Sequence, residues 1–341
     1  MSTPFTELPE ADQLARLHGL ATAALARYGL AADCPVTLVN NSENATYAVD
    51  LPETGERCFL RIHRTHYHSD YGIRSELLWM NALREATGLV TPEAIPGLDG
   101  DELQIVETPE MGEARRVVLF KEVRGVHPSE VDIAGPFRRL GAIAAAFHDH
   151  VMTWPRPGWF ERLTWNFETT VGDTPNWGRW QDAPGVTPAH HDVLVRAVEL
   201  AREKLEAFGK APERYNLTHA DLRIDNFLVE DGEPRILDFD DSGFSWLLYD
   251  AATAVSFMEE QPDLETLLTN WVEGYREVRE LPVEDVRMIP TFVQLRRIMI
   301  MGWIASHPKT DLARDTGGPY TEGSVRLAQA YLDGRFLTGL D

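Results

Sequence analysis

The sequence predicts an α+β chain whose first third is rich in strands and whose remainder is mostly helical. Three observations carry that reading. Short apolar, strand-like segments cluster between Val36 and Lys121. Beyond Gly125 the apolar residues recur at helical spacing. One hairpin-shaped stretch, Leu217 to Asp241, interrupts the helical part and gathers most of the chemically informative polar residues.

In chain order, Glu10 to Tyr28 reads as an amphipathic helix, with Leu14, Leu17, Leu20, Ala21, Ala24 and Leu25 on its apolar stripe. Strands are expected at Val36–Val39 and Thr46–Leu51, joined by Asn40-Asn41-Ser42-Glu43-Asn44, and at Arg57–Arg64. A helix over Ile73–Thr87 precedes strands at Gln104–Thr108 and Arg116–Lys121. Pro136–Val151 is a small-residue helix in which His148 lies near the Leu140–Ile143–Ala144–Phe147 face, the position of a core or capping histidine. Trp154 to Asp182, dense in Trp, Pro and Gly, reads as irregular; its aromatic rings suit either loop packing or a cationic ligand. Helices follow at Val193–Phe208, Thr266–Tyr275, Val283–Ser306 and Thr321–Arg335, with Phe292–Ile304 apolar nearly all round and so buried.

Composition bounds the function. The 341 residues are 43% hydrophobic and 25% charged, which suits a globular chain with a real core. The opening residues show no basic stretch followed by an apolar one, and no apolar run approaches bilayer length. A cytoplasmic protein without a membrane partner is expected. Cys34 and Cys58 offer neither a disulfide framework nor metal-ligand spacing, and buried free thiols are expected. A formal charge of −22 argues against nucleic acid and is compatible with an amine-bearing substrate.

The hairpin carries the chemistry. Phe227-Leu228-Val229 and Arg235-Ile236-Leu237 flank Glu230-Asp231-Gly232-Glu233, and an Asp-Gly pair between apolar runs signals a tight turn. The turn brings His219, Asp221 and Asn226 to the same end as Asp238 and Asp240. Mg²⁺ takes hard oxygen ligands, which Asn226 and Asp238 supply, and Asp221 is left to face an attacking hydroxyl.

His219-x-Asp221-x-x-x-x-Asn226 followed by Asp238-Phe239-Asp240 resembles the catalytic and metal-binding motifs of the protein-kinase-like fold. The compact form HADLRIDN…ILDFDD…YD is similar to the aminoglycoside phosphotransferase, choline kinase and homoserine kinase branch. With SENATY at 42–47, it most resembles bacterial homoserine kinases and the related stress-response kinases. The resemblance implies a bilobal fold: a small antiparallel-sheet N-lobe over 1–124, a larger helical C-lobe over 125–341, and ATP·Mg bound between them. It implies that Ser42, Asn44 and Thr46 cover the phosphates where kinases carry a glycine-rich loop, a departure because no glycine stands there. Arg61 occupies the position of the phosphate-pairing Lys, a second departure, with Glu76 as its acidic partner. Lys121, Glu122 and Val123 offer backbone groups to adenine. Arg223 neutralises charge at the transferred phosphate, Asn226 and Asp238 hold Mg²⁺, and Asp250 either braces the catalytic loop or caps a helix.

The acceptor implied is a small-molecule hydroxyl on a homoserine-like amino acid or amino alcohol. Arg296 and Arg297 then serve a substrate carboxylate or pair with core acids, and Glu259, Glu260 and Asp241 are either substrate-facing or solvated. A protein Ser/Thr kinase, an aminoglycoside-type kinase and a nucleotide-binding pseudokinase are the alternatives, and oligomeric state is left open.

Overall fold

The structure, a computed structural model, describes residues 4–128 and 134–340. The chain divides into two compact units, Met1–Arg124 with Pro157–Glu161 and Gly125–Arg156 with Arg162–Asp341.

The first unit begins with α1 (Glu10–Ala24), which tightens into a 3-10 turn at Leu25–Tyr28. Then come β1 (Val36–Asn41), β2 (Ala45–Leu51), β3 (Glu56–Ile62), α2 (Asp70–Thr87), β4 (Ala94–Ile95), β5 (Gln104–Val106) and β6 (Arg115–Lys121). The strands form an antiparallel sheet in the order β1-β2-β3-β6-β4, with β5 also paired to β6. Period-two alternation turns Tyr47, Val49, Leu60, Ile62, Val117 and Leu119 inward, where Leu17, Leu20, Ala21 and Ala24 of α1 cover them. Each such leucine contributes about 1.5–3 kcal/mol by leaving water. Cys34 and Cys58 lie in the same core as free thiols. Helix α2 starts three residues before its apolar periodicity because the Ser69 hydroxyl accepts from the Gly72 amide at 3.0 Å.

The second unit runs α3 (Ala134–Thr153), β7 (Leu163–Trp165), α4 (Phe167–Thr170), α5 (Pro188–Phe208), β8 (Tyr215–Thr218), β9 (Phe227–Glu230), β10 (Glu233–Ile236) and β11 (Gly243–Trp246). It ends with α6 (Tyr249–Ala254), α7 (Leu264–Val278), α8 (Val283–Val286), α9 (Ile289–Ser306) and α10 (Asp311–Leu332). Helices α3 and α7 cross at glycines. A Cβ on Gly141 would stand 1.9 Å from the Trp271 carbonyl oxygen, and one on Gly274 would stand 1.8 Å from that of Arg138. Strand β11 lies between β7, its parallel neighbour, and β8, its antiparallel one.

The expected hairpin is β9–β10, with Glu230 opposite Glu233 and only Asp231-Gly232 between them. Both turn residues are left-handed, at φ 53° and 83°, as a two-residue turn matching strand twist requires. The helix expected over Val283–Ser306 is two helices, because Pro290, in the first turn of α9, has no N–H to donate to a preceding turn. Helix α10 starts ten residues before the expected Thr321. It runs through Gly317-Gly318-Pro319 with a kink at Gly317 (φ 18°, ψ −118°) rather than stopping there. Helix α9 is buried along nearly its whole length, as its composition predicts.

Candidate active site

In the second unit the catalytic loop joins β8 to β9. Asp221 is held from several directions. Arg296 of α9 donates through Nη2 to its Oδ1 at 2.6 Å. Arg223 Nε donates to Oδ2 at 3.3 Å, and Asn226 Nδ2 donates to Oδ2 at 3.0 Å and to the Asp221 carbonyl at 2.9 Å. Burial alone would push this carboxyl up, but Arg223 and Arg296 outweigh it and hold it below the ordinary 3.8. Asp221 is therefore a carboxylate at neutral pH. Its neighbour Ala220 is left-handed at φ 63°, a strained conformation for a residue with a Cβ.

That strain is held in place by a buried relay. Asp250 of α6 accepts from the Ala220 amide at 2.8 Å and the His219 amide at 3.3 Å. His148 Nε2 lies 3.0 Å from the same carboxylate, and its Nδ1 lies 2.9 Å from the Tyr275 hydroxyl. Asp250 thus braces the loop, and His148 is a core residue that orients the brace. His219 orders the loop as well: its Nε2 lies 3.1 Å from the Leu237 carbonyl, and its Nδ1 accepts from the Asp221 amide at 3.3 Å.

The metal-ligand candidates meet across the hairpin base, where the Leu237 amide donates to the Asn226 carbonyl at 2.9 Å. Asn226 spends its amide nitrogen on Asp221, which directs its side-chain oxygen elsewhere. Asp238 is exposed and left-handed at φ 57°. An oxygen from each residue is the hard donor set a divalent cation takes, so the residues fit the ion the motif implies.

Arg162 had no signal in the sequence. It is buried, and it clamps the turn after Asp238 by donating Nε to the Ser242 carbonyl at 2.7 Å and Nη2 to the carbonyls of Phe239 (3.1 Å) and Asp240. Trp165 Nε1 donates to the Asp241 carbonyl at 2.7 Å from the other side. Trp165 also packs edge-on to Trp177, whose ring lies 5.0 Å from the Arg296 guanidinium. These tryptophans support the site by packing.

Arg297, the residue after Arg296, donates to Glu259 Oε2 at 2.7 Å and to Glu260 Oε2 at 3.0 Å. Its guanidinium lies 3.6 Å from the centroid of the Tyr320 ring. Both arginines are thus committed to acids of this chain, which removes the argument for a substrate carboxylate. Burial pushes the Glu259 carboxyl up against the opposing pull of Arg297.

In the first unit Arg61 Nη1 donates to Glu76 Oε1 at 2.6 Å, with Glu76 fully buried. Thr46 stands directly opposite Arg61 in the β2–β3 ladder. Ser42 is exposed and accepts from Asn40 Nδ2 at 3.1 Å, while Asn44 Oδ1 accepts from the Arg64 amide at 3.0 Å. The Lys121 amide already donates to the Glu93 carbonyl at 2.9 Å, and its ammonium pairs with Glu93 at 2.6 Å. Of the three candidates for contact with a base, Lys121 therefore has its amide already engaged. Among the described residues no helix is long and apolar enough to cross a membrane.

The chain is similar to known phosphotransferases. The phosphotransferase enzyme family matches residues 36–281. A solved microcompartment-associated aminopropanol kinase is 41% identical, covers 94% of this chain and 98% of its own, and superposes with a TM-score of 0.86. The amicoumacin kinase of Bacillus subtilis (strain 168) is 25% identical over 86% of this chain and 85% of its own length. An amicoumacin kinase solved with AMP-PNP, Ca²⁺ and Ami shares the fold at TM-score 0.77 and 22% identity, covering 98% of both chains. With the Asp221, Asn226 and Asp238 arrangement in place and the match spanning most of the chain, the protein belongs to the phosphotransferase enzyme family, in its protein-kinase-like fold.

Proposed function

We propose that the protein moves the γ-phosphate of Mg·ATP to the hydroxyl of a small amino alcohol. ATP-dependent transfer to a small-molecule hydroxyl follows from family membership and from the kinase relatives. The finer statements, Mg²⁺ as the metal and an amino alcohol as acceptor, are argued from chemistry. The observation that carries the reading is the carboxylate of Asp221, held ionised and fixed by Arg296 and Asn226 beside the candidate metal ligands.

A carboxylate whose pKa is held low is a weak base, which suits a loose phosphoryl-transfer transition state, where the incoming hydroxyl keeps its proton until late. Asp221 orients that hydroxyl and receives its proton at the end of transfer. Asn226 and Asp238 would hold the divalent ion, which when bound would supply positive charge to offset that of the phosphates. Arg223, 22% exposed and tethered to Asp221 and Asp225, is the side chain that meets charge on the transferred phosphoryl group. Arg61, aligned by Glu76, steadies the upstream phosphates; its fork replaces the point charge of a lysine. Lys121, Glu122 and Val123 supply backbone groups to the base, and Ser42, Asn44 and Thr46 line the phosphate-covering turn.

The amino alcohol is favoured over homoserine because Arg296 and Arg297 are already spent on acids, and because the 41% identical relative is an aminopropanol kinase. The test is ADP release with Mg·ATP over aminopropanol, ethanolamine, choline, homoserine and an aminated antibiotic, with Asp238→Asn as the blank. Turnover on a small amino alcohol that vanishes in the folded variant supports the reading. Preference for homoserine or the antibiotic, or undiminished activity in Asp238→Asn, overturns it.

A further inference from the structure

Asp238, the candidate metal ligand, sits between a stretch held by the hairpin and a stretch held from outside it. Its backbone is left-handed at φ 57°, a region that aspartate tolerates better than most residues but that persists only with support from its surroundings. Before it, Ile236 pairs with Phe227, and the Leu237 amide donates to the Asn226 carbonyl at 2.9 Å. His219 Nε2 lies 3.1 Å from the Leu237 carbonyl. After it, strand pairing resumes only at Gly243, where β11 begins.

Two side chains span that gap. The carbonyls of Phe239, Asp240, Asp241 and Ser242, four in a row, all accept from Arg162 or Trp165. Arg162 Nη2 donates to Phe239 at 3.1 Å and to Asp240, Arg162 Nε donates to Ser242 at 2.7 Å, and Trp165 Nε1 donates to Asp241 at 2.7 Å. Arg162 is 7% exposed, and charge-assisted bonds shielded from water in this way are stronger than neutral ones. The last link reaches Asp238 itself, because the Asp240 amide, on the clamped turn, donates to Asp238 Oδ1 at 3.4 Å. Register explains the reach of Arg162. Leu163 stands opposite Gly243 in the parallel β7–β11 pair, which brings Arg162 level with Ser242. A Cβ on Gly243 would stand 2.5 Å from the Leu163 carbonyl oxygen, so the two strands meet too closely there for any other residue.

A buried guanidinium has two opposed effects near a cation site. Its charge repels a divalent ion, whereas its fork fixes the chain that carries the ligand. The carbonyl dipoles turn their negative ends toward the guanidinium and offset its charge. The fork has no such substitute, since a lysine brings only a point charge on a flexible stem. Geometry is therefore the larger effect. We infer that Arg162 is a positioning residue, whose clamp on residues 239–242 holds the Asp238 carboxylate in place for the divalent ion. The assignment rests on the phosphotransfer reading above, with Asp238 as a metal ligand, and adds a residue outside the motif on which the hold on that ion depends.

The test is calorimetric titration of AMP-PNP into the wild type, Arg162→Met and Arg162→Lys, with and without Mn²⁺, an ion that shares the oxygen preference of Mg²⁺. The gain in AMP-PNP affinity that Mn²⁺ confers is expected to be at least tenfold smaller in Arg162→Met and severalfold smaller in Arg162→Lys. Affinity without metal should be unmoved. A merely structural role would lower Tm and leave that gain intact in the molecules that stay folded. An unchanged gain in Arg162→Met overturns the assignment. So does a larger gain there, which is the result expected if the guanidinium acted through its charge. Either result leaves the phosphotransfer reading standing. A wild type whose AMP-PNP affinity ignores Mn²⁺ refutes the metal assignment of Asp238 and this inference with it. If Arg162→Met does not fold, Arg162→Lys carries the comparison: a severalfold smaller gain upholds the assignment, and an equal or larger one refutes it.

Discussion

Asp221 keeps its charge through partners drawn from its own loop and from α9, far along the chain. Asn226 and Arg223 are within reach by spacing, so the motif made them legible. Arg296 is 75 residues away, and its role was invisible because any buried arginine on an apolar helix has several possible acids to meet. Arg162 was missed for the same reason, since the carbonyls it clamps lie 77 to 80 residues on and carry no side-chain signature. Asp221→Asn retains the shape and an oxygen for Arg296 but removes the proton acceptor. Its kcat should fall by about 10²–10⁴, with ATP·Mg affinity unchanged by calorimetry. A fall of less than threefold would mean that another group faces the hydroxyl.

Elements hold this loop in place by close approach and by a neutral histidine. Helices α3 and α7 meet where Gly274 abuts the Arg138 carbonyl, and a methyl group there has no room without backbone movement. Gly274→Ala should therefore cost about 1–3 kcal/mol or more by overpacking, seen as a lowered Tm; an unchanged Tm would show that the crossing relaxes freely. His148 lies between these helices and the Asp250 brace. Burial pulls its pKa below the ordinary 6.5, although Asp250 opposes the shift. The unfolded chain then takes up the proton first, so stability present above about pH 6.5 is lost as the pH falls below it. Tm should decline below that pH, and the decline should be shallower in His148→Gln; equal slopes would remove His148 from the account. Among elements, long periodic helices and the Asp-Gly hairpin were legible from pattern. Strands β7 and β11 were not, because three or four residues give too short a period to read. The break between α8 and α9 was legible at Pro290 and overlooked, since the apolar run on either side reads as continuous.

For the molecule as a whole, the sequence made the reaction class readable and left the acceptor open. The hairpin concentrates the candidate catalytic and metal-binding side chains in one short stretch, so their spacing alone marks the chemistry. Arg297, Glu259 and Tyr320 are instead brought together only by tertiary packing, so no spacing in the sequence marks what surrounds them. The −22 charge agrees with an amine-bearing substrate but does not select one. The most direct measurement is phosphorus–proton correlation NMR of the product formed from Mg·ATP and aminopropanol. A phosphate coupled to the proton of the oxygen-bearing carbon, formed by the wild type and at least about a hundredfold more slowly by Asp221→Asn, is the predicted result. Phosphate on nitrogen, or the same product from the variant at the wild-type rate, would contradict transfer to a hydroxyl oriented by Asp221.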